Sequence, residues 1–442
     1  MILIINYQPQ SFQIRFPLGL AYVAASLLEN DLPVEVFDTI PIKDKQIHAI
    51  EMRIQEKEYK YILLSAIAGG HSYGYTKSLV NTIKDKIPNS KVILGGPLPS
   101  AIPQMFLQNS QADVCVIGEG EITIIDLIKS LERKEELATV KGIVFRSPEG
   151  QIIKTPPRER IRNLDSLPPL PYEIFPFDFY LKYLEKTSRC IEIVGSRGCY
   201  ENCNYCSKTF STPVIRRSID SITNEMSFLS KKYGINRFNF TDENFLNNKK
   251  QVMQLANKLI GSHLNFQYRF QSRTDFMDRD VAKLLAKSGV FSLHFGIESP
   301  VQQLLNNVHK TTRSDHYESA IRFCQDAGIE VYASFVIGLP GETEETLQIT
   351  RDFIDRNNLE QTCDMNILTP LPNTRLYSLV IERGYIMDEE QYISNLGNLY
   401  NELYVNLTDL PDKVLIDFKR SFEGKRKTNF WHEEFAEYLT PK

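Results

Sequence analysis

Gly195-Ser-Arg-Gly-Cys199-Tyr-Glu-Asn-Cys203-Asn-Tyr-Cys206 places three of the chain's seven cysteines within eight residues. Iron–sulfur clusters are normally held by four thiolates. Three at C-x3-C-x2-C spacing therefore suggest a cluster with one iron left open to bind and activate a ligand. The apolar residues Ile191, Ile193 and Val194 lead into the run, and Gly195 and Gly198 permit a tight loop in which the thiolates can converge. Zinc held by three cysteines and a fourth ligand is the main rival. No histidine lies between His71 and His263, which leaves Cys190 as the obvious local fourth. A disulfide framework is disfavoured by the odd number of cysteines and the absence of a secretory signal in a chain of 442 residues.

Outward from the loop, strand-like and helical patterns alternate six times between Arg189 and about Pro370. Strands are expected to begin near Cys190, Asn236, Phe266, Val290, Glu330 and Cys363. The helices between them are amphipathic: Ile222, Met226 and Leu229 share one face, and Val252, Leu255 and Leu259 another. Six βα units are too few for a closed eight-fold barrel. They predict a partial barrel over residues 187–377, with its active site at the strands' carboxyl ends, the rim that carries the cysteine loop.

Toward the N-terminus, residues 1–135 show a second α/β pattern, with candidate strands Ile2–Ile5, Pro33–Phe37, Tyr61–Ser65, Lys91–Leu94 and Asp113–Ile117. Short apolar strands separated by helices imply a parallel, doubly wound, Rossmann-like sheet. Ligands bind such sheets beyond the strands' carboxyl ends, where Ser65, Gly95, Gly96, Pro97, Gly118, Glu119, Gly120 and Glu121 fall. Residues 136–186 read as a hairpin and a proline-rich linker, and residues 378–442 as a helical C-terminal region. Tyr400 and Tyr404, four residues apart, are expected to share a helix face there.

Hydrophobic residues at 42% and charged residues at 24% are ordinary for a soluble globular protein, and a net charge of −4 provides no general attraction to nucleic acid. No apolar run approaches the roughly 20 residues needed to span a bilayer. These features place the protein in a reducing cytoplasm, with no nucleic-acid or membrane partner. Cys115, Cys190, Cys324 and Cys363 read as buried apolar residues.

The cysteine triplet, with Tyr205 before its last member, resembles the signature of the radical S-adenosylmethionine (radical SAM) enzymes. Further segments resemble that family in order. Phe240-Thr-Asp-Glu-Asn-Phe245 matches its acidic segment, where the resemblance implies that Asp242 or Glu243 holds the SAM amino group. Arg273 is implied to take the methionyl carboxylate. Gly296-Ile-Glu-Ser299 looks like the family's "GIES", with Glu298 near the SAM ribose and Ser299 beside it. Val336-Ile-Gly-Leu-Pro-Gly-Glu-Thr343, which contains Gly338, resembles the segment near the adenine. Leu94-Gly-Gly-Pro97, Ile117-Gly-Glu-Gly-Glu121 and Thr369-Pro-Leu-Pro-Asn-Thr-Arg-Leu-Tyr377 resemble the group with an N-terminal cobalamin-binding domain. The D-x-H-x-x-G motif that ligates cobalt in other cobalamin proteins is absent, as is common in this group, so the cobalamin expectation rests on fold-level likeness.

The resemblance implies three cofactors: a 4Fe-4S cluster on Cys199, Cys203 and Cys206, SAM, and cobalamin. The implied activity is methyl transfer to an unactivated carbon of a small-molecule or natural-product substrate, through a 5′-deoxyadenosyl radical and methylcobalamin. An external one-electron donor such as flavodoxin or ferredoxin would drive it. A non-methylating rearrangement, cyclisation or epimerisation with the same cofactors is the runner-up, and a metal-stabilised binding protein the non-enzymatic alternative. The residues select neither a substrate nor an oligomeric state.

Overall fold

The computed structural model describes all residues except 8–13, 70, 188–189, 209, 211, 263, 398 and 426–442. The chain divides into two compact units, Met1–Lys186 with Ile381–Leu399 and Thr187–Val380 with Tyr400–Lys442.

The first unit is built on a seven-stranded sheet. Strands β1 (Ile2–Asn6), β2 (Val34–Asp38), β3 (Tyr61–Ser65), β4 (Lys91–Gly95) and β5 (Val114–Val116) are parallel, and β6 (Ile143–Arg146) and β7 (Ile152–Lys154) follow antiparallel. The spatial order is β2-β1-β3-β4-β5-β6-β7, which reverses direction between β1 and β3. Ligand crevices of doubly wound sheets open at such a reversal. Ile2, Ile4, Leu63, Ile93 and Val114 pack there against Ala24 and Leu27 on one helix and Ile124, Leu127 and Ile128 on another. Each of the Ile, Leu and Val side chains contributes about 1.5–3 kcal/mol by leaving water.

Two segments depart from the sequence-based expectation. The hairpin expected within the linker is β6–β7, and it extends the first sheet because the β5 edge offers unpaired backbone groups. The expected C-terminal region is divided, because Ile381–Leu399 belongs to the first unit. Its helix Glu389–Asn395 is tied there by Glu390, which accepts hydrogen bonds from Tyr73 Oη at 2.9 Å and Lys77 Nζ at 2.8 Å.

In the second unit, β8 (Ile191–Ile193) leads to a two-stranded ribbon of β9 (Ser196–Arg197) and β10 (Ile215–Arg216), which brackets the cysteine loop. Strands β11 (Arg237–Phe240), β12 (Gln267–Ser272), β13 (Val290–Glu298), β14 (Glu330–Ile337) and β15 (Cys363–Ile367) complete a six-stranded open sheet in the order β15-β14-β13-β12-β11-β8, every neighbouring pair parallel. One face, with Phe238, Phe270, Phe295 and Phe335, is buried against the surrounding helices. Their ends are well defined: Ser218 caps helix Ile219–Tyr233 through Ser221 N, and Gly234 stops it at φ 72°.

After the barrel, Tyr400 lies in a turn at φ 65° and Tyr404 also lies outside a helix, so the expected helix face is not formed. The helix Asp412–Arg420 does form, and the rings of Phe418 and Phe422 meet at 5.4 Å. No helix among the described residues is long and apolar enough to cross a membrane.

Candidate functional site

The cysteine loop is pinned on several sides at the carboxyl end of the barrel sheet. Gly198, at φ 109° in a conformation that favours glycine, donates its N–H to Glu243 Oε2 at 2.9 Å. Asn204 N–H donates to Val308 O at 3.0 Å, and Leu376 N–H to Asn204 O at 2.9 Å. Between the first two cysteines, Glu201 pairs with Arg273 and accepts from Thr311 Oγ1 at 2.6 Å. Arg273 also pairs with Asp275, so its guanidinium ties the end of β12 to the cysteine loop.

Cys115, Cys190, Cys324 and Cys363 are buried, and no disulfide is formed among the described residues. Cys199 and Cys203 are half-buried and Cys206 is exposed. Although the Cys206 residue is exposed as a whole, its thiol is enclosed by neighbouring atoms, and that burial raises it to about 12, with Cys203 and Cys199 raising it further as neighbouring anions. Burial likewise raises Cys199 and Cys203. A bound metal cluster would offset this cost, because a metal deprotonates coordinating thiols outright. Among the described residues, no three His, Cys, Asp or Glu side chains are grouped to hold a single ion. A multi-iron cluster instead takes each cysteine on its own iron, and the loop suits that arrangement.

The two carboxylates after β11 are separated by the strand's alternation. Asp242 accepts from Gly195 N–H at 2.8 Å and from Ser196 Oγ, on the side of the aromatic ring of Phe240. Burial raises its carboxyl to about 7. Glu243 is bonded instead at Gly198, directly before the first cysteine. Glu298, at the end of β13, takes φ 62° at a register shift against β14, a conformation that costs a non-glycine residue about 1–3 kcal/mol. Lys310 holds it there, donating to Glu298 Oε1 and Gly296 O, both at 2.8 Å. Glu298 also bonds Tyr205, and burial holds that phenol well above its ordinary range. Tyr205 packs on Leu304, Val308, Val336 and Leu376. Ser299 is buried and accepts from Val301 N–H at 3.1 Å. After β14, Gly338 sits at φ 80° with its N–H donated to Glu342 at 2.6 Å. Lys310, Thr311 and Glu201 were not singled out from the sequence. Lys310 lies twelve residues beyond Glu298, and no local spacing links the two.

In the first unit, the turn after β4 crosses the end of β3. Gly96 is at φ 92°, and a Cβ there would meet Ser65 Oγ at 2.5 Å and Ala66 O at 2.8 Å. A Cβ on Gly95 or Gly118 would meet nothing within 4 Å, so both lie beside open space at the strand ends. Pro97 opens a short helix, and Gly118 N–H donates to Ser100 Oγ at 3.0 Å. Glu119 accepts from Ile161 N–H at 2.8 Å, while Gly120 and Glu121 begin helix Gly120–Arg133, where Glu121 is buried. Small residues with open space before them suit the approach of a large ligand to the backbone, and the rim fits cobalamin in this respect.

A partial parallel barrel with a three-cysteine loop on its carboxyl rim, in a chain that also carries a doubly wound domain, defines a two-domain metalloenzyme. Residues 193–354 match the Radical SAM superfamily and residues 13–128 the B12 binding domain. The chain belongs to the radical SAM enzymes with a cobalamin-binding domain, whose cofactors are a 4Fe-4S cluster, SAM and cobalamin. It is 28% identical to an uncharacterised methyltransferase of Pyrococcus horikoshii, over 84% of this chain and 80% of that one. It is 26% identical to the anaerobic magnesium-protoporphyrin IX monomethyl ester cyclase of Rubrivivax gelatinosus, over 77% of this chain and 62% of that one. Among solved structures, the cobalamin-dependent SAM radical enzyme OxsB, with aqua-cobalamin and SAM bound, shares the fold at a TM-score of 0.78 and 18% identity. That match covers 95% of this chain and 65% of OxsB. The chain thus spans just under two thirds of both the cyclase and OxsB.

Proposed function

We propose that the protein is a cobalamin-dependent radical SAM methyltransferase acting on an unactivated carbon. The observation that carries this reading is the cysteine loop, fastened by Glu243 and Arg273 to the carboxyl rim of a six-stranded sheet beside the Glu298–Lys310 pair. The name of the Pyrococcus horikoshii relative supports methyl transfer. When bound, the cluster and SAM would supply a 5′-deoxyadenosyl radical and cobalamin the methyl group.

The chain's own residues would act as follows. Cys199, Cys203 and Cys206 ligate three irons. Glu243, rather than the inward-bonded Asp242, holds the SAM ammonium. Arg273 and Lys310, two of the cations near this rim, neutralise the methionyl carboxylate. Glu298 and Ser299 border the ribose, Gly338 borders the adenine, and Tyr205 keeps the third cysteine in place. Ser65, Gly95, Gly96, Pro97 and Gly118 line the cobalamin site, and Glu119, Gly120 and Glu121 set the helix behind it. The odd number of cysteines, seven, supports a reducing cytoplasm, and flavodoxin or ferredoxin would be the electron donor.

Cys203→Ala is expected to abolish 5′-deoxyadenosine formation in anaerobically reconstituted protein, and persistence of that product would refute the reading. Methyl transfer further requires S-adenosylhomocysteine in amounts comparable to 5′-deoxyadenosine. The cyclase relative supports a second reading, a non-methylating ring closure. Altered substrate and 5′-deoxyadenosine without S-adenosylhomocysteine would favour it.

A further inference from the structure

The face of the barrel sheet opposite the helices carries polar groups that the cofactor contacts above do not use. Parallel sheets are usually apolar on both faces, yet here alternate residues form a polar floor. Asn239 and Ser292 are each 1% exposed, and neither side chain has a hydrogen-bond partner among the described residues. Buried polar groups are normally satisfied, so this floor is built for something that would bond to it. Above Ser292, on β13, His294 is 6% exposed, and its Nε2 lies 2.7 Å from Ser334 Oγ on β14. The carboxylate of Asp364 on β15, 8% exposed, lies 3.6 Å from the same nitrogen. Ser334 alone of the three is half-buried.

The arrangement is not that of a hydrolase. There the carboxylate orients the histidine through Nδ1 while the hydroxyl bonds Nε2, whereas here both address Nε2. At 2.7 Å the hydroxyl is hydrogen-bonded to the ring. At 3.6 Å the carboxylate is beyond a hydrogen bond, but it stabilises a positive imidazole. The other titratable groups of this face include Glu192, Arg269 and Glu330 toward the strands' amino ends, Tyr332 directly opposite His294, and Arg273, Glu298 and Lys310 toward the carboxyl ends.

We propose that Ser334, His294 and Asp364 form a substrate subsite that takes a carbon bearing a hydroxyl or amino group and relays its proton. The proposal rests on the radical SAM reading and names the substrate class for that site. An anionic group would meet Asp364 and is disfavoured. A hydroxyl or amine can donate to Ser334 Oγ as the serine proton passes to His294 Nε2. One O–H or N–H bond of the substrate breaks as an O–H bond forms on Ser334, the original Ser334 O–H breaks as an N–H bond forms on the ring, and the proton returns by the same route, with no net change in protons or electrons. Drawing that proton away weakens the C–H bond on the neighbouring carbon, the bond a radical must break.

Perdeuterated 2-aminoethanol, given to the full chain reconstituted with cluster, SAM and cobalamin, is the first probe, and perdeuterated acetate is the control. The expected result is deuterium in 5′-deoxyadenosine from the amino alcohol at least tenfold above that from acetate. Ser334→Ala and Asp364→Asn should each lower the deuterium fraction at least tenfold. Equal transfer from acetate, or variants that keep the fraction, would overturn the subsite. Absence of 5′-deoxyadenosine from the unaltered protein would instead defeat the radical reading itself.

A second measurement does not depend on turnover. In 13C-histidine NMR of the full chain, with His294 assigned from His294→Gln, Asp364→Asn should lower the His294 pKa by about one unit, a tenfold loss of proton affinity. An unchanged titration would overturn the relay.

Discussion

Gly96 shows how a single backbone position sets what the first unit can accept. At φ 92° and ψ −178° it occupies a region essentially restricted to glycine, and Ser65 Oγ and Ala66 O already fill the place of a Cβ. Gly96→Ala is therefore expected to cost about 2–4 kcal/mol, combining backbone strain with displacement of the β3 end. Thermal melting of the cobalamin-free chain should fall by several degrees, and cobalamin retention should fall with it; an unchanged melting temperature would show that the turn relaxes freely. The Gly-Gly-Pro run pointed to this turn because glycine followed by proline has few backbone alternatives. His294 and Lys310 left no such trace. A lone histidine on a strand and a lysine in a loop acquire meaning only when the fold brings Ser334, Asp364 and Glu298 to them.

At the scale of elements, all six barrel strands begin within a residue or two of where the alternation of apolar runs and amphipathic helices predicts. Burial on the helix side imposes that alternation, so it is legible. The ribbon of β9 and β10, two residues on each side, is too short to leave a periodic signal. The turn after β14 was legible as a Leu-Pro-Gly stop, but its electrostatics were not. Glu342 is buried there, accepting from Gly338 and Leu339 N–H, and burial raises its carboxyl from 4.5 to about 7. The folded state therefore holds this proton more tightly than the unfolded state does. Its effect on stability is unfavourable as pH rises, growing from about pH 4.5 and complete above about pH 7. Asp242, raised from 3.8 to about 7, acts in the same direction. Glu342→Gln keeps an oxygen for the two N–H groups and removes the titration. Urea unfolding of this variant should lose less stability than the parent between pH 5 and about pH 7. Parallel pH profiles for the two would mean that Glu342 is hydrated in the folded chain.

At the scale of the whole molecule, the chain passes between its two units at residues 186–187, 380–381 and 399–400, so that Ile381–Leu399 folds with residues more than 300 positions earlier. Nothing in the local sequence announces this, because the helix Glu389–Asn395 has the composition of any exposed helix and its partners lie on a distant one. The tie is specific nonetheless. Glu390 accepts from Tyr73 and Lys77, and His71 Nδ1 lies 3.0 Å from Ser394 O. A Cβ on Gly397 would strike the His71 ring, so the segment passes closely over that side chain. Glu390→Ala removes one carboxylate with two donors. Tyr73 keeps its bond from Asn109, and Lys77 is exposed enough to be rehydrated, so the loss should be about 1 kcal/mol. That energy should appear as local opening rather than global unfolding, because the segment is short and bordered by turns. Hydrogen exchange across Glu389–Asn395 is expected to quicken about fivefold, with the strands β1 to β5 unchanged. If exchange quickens across β3 and β4 as well, Ile381–Leu399 is an integral part of the first unit's cooperative fold, and that unit cannot be defined by the N-terminal residues alone.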